Sequence, residues 1–141
     1  MSKAIDNLVN ALQFATTIRP KAGGFPVLAE VMRAAGVKKN LWHLPSCQSI
    51  FITEEGNIVD QLSPLVTGRA DIPEFNQEAL IKAIRIDQAG DSSFPEFLQA
   101  SWEAGVVSYT VDLEKRTVTY YGAVGESYVE NYPAVSVSQF N

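Results

Sequence analysis

His43 and Cys47 stand four residues apart in a chain that has no other histidine or cysteine. An imidazole and a thiol at that spacing could share a metal ion or form a nucleophile–base pair. A zinc site needs three or four ligands, and only Asp60, Asp112 or a glutamate could complete this one. A Cys–His nucleophile needs direct contact, and Pro45 lies between the two in a turn signal. The stronger reading is an exposed imidazole beside Trp42 and a small half-buried thiol. No metal ligand, no cofactor and no catalytic residue is expected from this pair.

A second set of residues is aromatic. Tyr120, Tyr121, Tyr128 and Tyr132 would make a stacking platform. Single-stranded nucleic acid would require cations between the rings, whereas the neighbours here are Glu126 and Glu130, which repel phosphate. Strand packing is the simplest use of these tyrosines. The alternative is a small neutral or cationic ligand, and Trp42, Tyr109, Tyr121 and Tyr128 are the residues expected to meet it. Asp112, Glu114, Glu126 and Glu130 offer carboxylates for acid–base work, but carboxylates in hairpins are mostly solvated turns and edges. Gly122-Ala123-Val124-Gly125 joins two expected strands and lacks a following lysine, so it reads as a turn and not as a phosphate loop.

These residues are positioned by elements that the sequence repeats. Residues 94–135 align on 25–66 without a gap at an offset of 69 (94 − 25). Phe94-Pro95 falls on Phe25-Pro26, Ala104-Gly105-Val106 on Ala35-Gly36-Val37, and Leu113 on Leu44. Gly125, Pro133 and Val135 likewise fall on Gly56, Pro64 and Val66. Random pairing would give roughly two or three identities; here there are nine, concentrated at helix starts, helix stops and turns. The chain is therefore read as an internal duplication.

Each half predicts helix, helix, strand, strand, strand. In the first, Ile5, Leu8, Val9 and Leu12 form one apolar stripe of a helix over 3–18. A second helix spans 25–35, with Pro26 in its first turn, and Gly36 supplies the left-handed residue past its end. Strands follow at 38–44, 48–53 and 58–62, and 63–71 is a connector. In the second, helices are expected at 74–89 and 94–104, the latter opened by a Ser93–Glu96 capping box. Strands are expected at 106–112, 117–121 and 126–130. Tyr109, Val111 and Leu113 share one face; on the return strand Val118 and Tyr120 oppose Thr117, Thr119 and Tyr121. The tail from Ser136 to Asn141 has little to hold it down. Neither three-stranded meander hides its apolar face alone. The expected fold is α+β: a two-layer sandwich in which two repeats, about 3–66 and 74–135, share one antiparallel sheet with helices on one face. The whole of 1–141 is expected to be a single domain.

Composition bounds the function. A net charge of −5 lacks the footprint of a nucleic-acid binder. No stretch has the apolar length of a membrane span, and the N-terminal residues lack the apolar run of a signal peptide. A single cysteine excludes an internal disulfide. A cytoplasmic protein, monomeric or homodimeric, is expected, with a protein or small molecule as partner.

Gln88-Ala89-Gly90, Phe94-Pro95-Glu96-Phe97, Glu103-Ala104-Gly105-Val106, Val111-Asp112-Leu113, Thr119-Tyr120-Tyr121 and Glu130 form an ordered string of short motifs. With Ala34-Ala35-Gly36-Val37, it resembles the YdfO-like family, small bacterial and prophage-associated proteins sometimes labelled phage envelope proteins. The resemblance covers residues 25–133. It implies a two-layer α/β fold and supplies no catalytic residues. Family members carry a histidine before the Gln-x-Gly turn and cysteines in the last helix and hairpin. Here Asp87, Leu98 and Val118 hold those places. The expectation is a non-enzymatic binding or interaction module of phage or mobile-element type. The alternative is a ligand-binding protein or enzyme with a pocket between the two repeats.

Overall fold

The computed structural model describes residues 2–137. Helix α1 (Lys3–Ile18) is capped by Ser2, whose hydroxyl accepts from the Ile5 N–H at 3.1 Å. Helix α2 (Phe25–Ala34) leads into strands β1 (Val37–His43), β2 (Gln48–Thr53) and β3 (Ile58–Gln61). Helices α3 (Gln77–Gln88) and α4 (Phe94–Glu103) precede β4 (Ser108–Asp112), β5 (Thr117–Tyr121) and β6 (Ser127–Asn131). The six strands form one antiparallel sheet in the order β3-β2-β1-β4-β5-β6. The α+β fold with a duplicated unit is thus as the sequence implies.

The repeats meet at the centre of the sheet. β1 pairs with β4 so that Leu41 faces Thr110, its own equivalent (110 − 41 = 69), and Asn40–Val111 and Trp42–Tyr109 flank that pair. A pseudo-twofold axis therefore passes between Leu41 and Thr110. Backbone geometry obeys the same offset. Gly36 and Gly105 have φ of 96° and 89°, and the two non-glycine residues with positive φ among the described residues, Cys47 and Arg116, both stand at 56° (116 − 47 = 69). Both glycines end a helix: Gly36 N–H donates to Arg33 O at 3.0 Å and Gly105 N–H to Trp102 O at 2.9 Å. Equivalent anchors Leu44 and Leu113 are fully buried, each contributing roughly 1.5–3 kcal/mol.

Alternation decides which face the helices cover. Trp42, Phe51, Tyr109, Val111, Val118 and Tyr120 point inward and are buried. The other face carries one row across all six strands: Val59, Ile50, Leu41, Thr110, Thr119, Val129. An antiparallel sheet tolerates one such solvated face.

Four details differ from the sequence reading. The buried residues of α1 are Ala4, Leu8, Ala11 and Ala15, with Ile5 and Leu12 packed half-buried against the core, while Val9 is exposed; the small alanines let α1 pack closely against Val31 of α2. Helix α3 starts at Gln77, because Asn76 caps it by accepting from the Ala79 N–H at 3.1 Å, leaving Glu74 and Phe75 outside the helix. The repeat needs one gap. Phe51 faces Ile58, but its equivalent Tyr120 faces Tyr128, so the last hairpin turn is longer by one residue (128 − 58 = 70 against 69). Finally, the tail is held at Val137, which packs against the cluster of Ala11, Ala15 and Val31; residues 138–141 lie outside the described residues.

Candidate functional site

A cavity of about 380 Å³ lies between the helices and the sheet, at the pseudo-twofold axis. That volume falls within the usual range for small-molecule sites. Its floor is the inward face of the central strands: Asn40 and Trp42 from β1, Tyr109 and Val111 from β4, Phe51 from β2 and Tyr120 from β5. Its roof is made by Phe25, Leu28 and Met32 of α2 and Phe94 and Phe97 of α4. Equivalent positions of the two repeats contribute together: Phe25 with Phe94, Leu28 with Phe97, Asn40 with Tyr109, Phe51 with Tyr120 (each pair 69 apart). Both repeats build the cavity.

The two sides differ in chemistry. On the first-repeat side, Asn40 is fully engaged: its Nδ2 donates to Ser49 Oγ at 2.8 Å and to Ile50 O at 3.1 Å, and its Oδ1 accepts from Trp42 Nε1 at 2.8 Å. This network fixes the indole. Trp42 meets Phe94 edge-on at 5.0 Å between centroids and stacks on Tyr109 at 6.2 Å, spacings favourable for aromatic pairs.

On the second-repeat side, Tyr109 and Tyr120 pair across β4 and β5 with centroids 5.4 Å apart. They are only 6% and 5% exposed. Neither hydroxyl has a hydrogen-bond partner among the described residues, and neither oxygen is a fully buried unsatisfied atom, so both are open to the space of the cavity. Burial pushes both phenols well above their ordinary range, and the nearby charge of Asp87 adds to this.

Asp87, at the end of α3, borders the cavity beside these tyrosines. Its Oδ1 receives only a long bond of 3.4 Å from Ser92 Oγ. Burial raises its carboxyl above the usual range, opposed by that bond and by the charge of Arg19 across the opening. Glu130 is held differently: Arg85 grips it with bonds of 2.6 and 3.2 Å, and the Tyr128 hydroxyl donates to it. The Arg85 bond chiefly lowers its carboxyl below the ordinary value. Asp60 borders the opening from β3, at the structural equivalent of Glu130.

Of the four residues proposed from sequence to meet a ligand, Trp42 and Tyr109 line the cavity. Tyr121 points to the open face and is 40% exposed. Tyr128 faces inward but turns its hydroxyl to Glu130. The four residues chosen from sequence did not include Tyr120, Asp87 or the phenylalanines of the roof, which also line the cavity. The signal for Tyr120 was present: alternation placed it with Val118 on the apolar face, opposite Tyr121. His43 and Cys47 diverge, with His43 exposed on the outer face and Cys47 buried, its thiol pushed up by burial. Among the described residues no group of three or more His, Cys, Asp or Glu is placed to hold a metal ion. Nor is any helix among them long and apolar enough to cross a membrane.

Fold and cavity define a two-layer α+β protein with a central small-molecule-sized cavity between duplicated halves. The chain belongs to the family described as "Protein of unknown function (DUF1398)", which matches residues 13–131. It is similar to uncharacterised proteins of Mycobacterium bovis and Mycobacterium tuberculosis. Each is 49% identical over 138 residues, covering 98% of this chain and 84% of the relative.

Proposed function

We propose that this protein is a non-enzymatic binding protein whose ligand is a small, largely apolar molecule seated in the cavity between the repeats. The observation that carries this reading is the cavity itself. It holds about 380 Å³, is walled by aromatic rings from both halves, and is bordered by two tyrosines whose hydroxyls have no protein partner among the described residues. Interiors normally close-pack, and retained space of this size lined by rings with a few polar groups is the usual form of a ligand site. The resemblance to prophage-associated proteins supports a cytoplasmic interaction module of mobile-element type. The cavity favours a small ligand over a flat protein interface.

The neutral fluorophore N-phenyl-1-naphthylamine tests the reading. It should bind saturably at one site per chain, with enhanced emission. Filling the roof with Leu28→Trp should abolish the enhancement while leaving the circular-dichroism spectrum unchanged. Unsaturable binding, or binding indifferent to Leu28→Trp, would overturn the proposal.

A further inference from the structure

The geometry points to a ligand that carries a protonated amine on its aromatic or aliphatic body, the ammonium being received by the Asp87 carboxylate and the hydroxyl oxygens of Tyr109 and Tyr120. This rests on the cavity being the ligand site and adds the chemical class of the ligand. Three observations converge on it. The first is the sign of the surroundings. Among the described residues, Arg19 is the one cation bordering the cavity, against three carboxylates, Asp60, Asp87 and Glu130. Glu130 is neutralised by Arg85 and occupied by Tyr128, while Asp87 makes no ion pair among the described residues. Arg19 is exposed at the rim, where solvent screens it.

The second observation is the pair of unpartnered hydroxyls. A tyrosine oxygen accepts as readily as it donates, and Tyr109 and Tyr120 are more than nine-tenths buried in the cavity wall. A primary ammonium has three N–H donors, one for each hydroxyl oxygen and one for Asp87, all of which border the same cavity. A carboxylate or phosphate group would meet the hydroxyls but would be repelled by Asp87. The third is the ring set that adjoins Tyr109: Trp42, Phe94 and Phe97 present aromatic faces and edges that suit the apolar body of such a ligand, and a cation near ring faces gains further attraction.

Three naphthalenes of one shape separate the possibilities by calorimetry: 1-naphthylmethylamine, 1-naphthylmethanol and 1-naphthoate, cationic, neutral and anionic at pH 7. The amine should bind at least tenfold more tightly than the alcohol, and the naphthoate most weakly. Asp87→Asn should bring the ratio of amine to alcohol affinity, both measured on the same variant, close to one, and Tyr120→Phe should weaken the amine severalfold. The comparison of amine with alcohol on the natural protein requires no variant to fold. Equal binding of amine and alcohol, a preference for the naphthoate, or a preference that survives Asp87→Asn would overturn the inference. If N-phenyl-1-naphthylamine binds and the amine preference is absent, the charge inference falls alone. If neither that probe nor any of the three naphthalenes binds, the cavity reading falls and takes this inference with it.

Discussion

Alanine at Gly105 should cost this protein far more than alanine at Gly36, although the two glycines are equivalent in the repeat. Both hold positive φ, 89° and 96°, and a side chain in that region costs roughly 1 kcal/mol. At Gly36 the nearest atom to an added Cβ is Glu54 Oε2 at 3.4 Å, an ordinary contact with a flexible side chain. At Gly105 the added Cβ would lie 2.5 Å from Glu74 O and from the N and Cα of Phe75. Those are backbone atoms of the segment entering α3, tied down by the Asn76 N–H donating to Ala104 O at 2.8 Å. Relieving such an overlap requires a backbone shift, worth about 1–3 kcal/mol. The expected losses are therefore about 1 kcal/mol for Gly36→Ala and about 2–4 kcal/mol for Gly105→Ala. Urea titration monitored by circular dichroism reads both, through the midpoint at unchanged slope. Equal losses at the two sites, or a larger loss at Gly36, would refute the close crossing of 74–75 over the helix end.

Two further predictions concern buried polar groups. Ser101 is fully buried in α4 and its Oγ has no hydrogen-bond partner among the described residues, so Ser101→Ala should stabilise the fold by about 1 kcal/mol; a lower urea midpoint would contradict this. Asp87 should lower stability at neutral pH. Its carboxyl is raised on folding, so the folded protein binds more protons than the unfolded chain between the unfolded pKa near 4 and the folded one, and stability falls as pH rises through that window. Asp87→Asn should therefore be more stable than the natural protein at pH 7, with an advantage that fades as the pH is lowered below about 4. An advantage that grows toward acid pH would reverse the assignment. A carboxylate kept at a cost in stability is what a binding site retains.

Much of the fold was legible because local chemistry and tertiary structure agree. Glycines past each helix end, the Ser93 capping box and period-two strands mark boundaries that the backbone obeys. Legibility failed where a distant neighbour decides. Helix α3 starts late because 74–75 must cross Gly105, which no local pattern announces. The stripe of α1 kept Ile5, Leu8 and Leu12 against the core but lost Val9 and gained alanines, because close approach to α2 selects small side chains there. The cavity was the least legible feature. It is the space left between two layers, set by side-chain volumes from six elements, and a sequence shows only the pieces. Alternation nevertheless distinguished Tyr120 from Tyr121, and the sheet places the first in the cavity wall and the second in solvent.

The central claim is that a small molecule occupies the cavity on the pseudo-twofold axis. The two tryptophans make a direct test by two-dimensional ¹H–¹⁵N NMR. The Trp42 indole N–H is hydrogen-bonded to Asn40 in the cavity floor, while Trp102 is buried in α4 and does not line the cavity. Titration with N-phenyl-1-naphthylamine should shift the Trp42 indole resonance saturably and leave that of Trp102 in place. A Trp42 resonance that stays fixed at saturating probe, or that moves together with that of Trp102, would contradict the account.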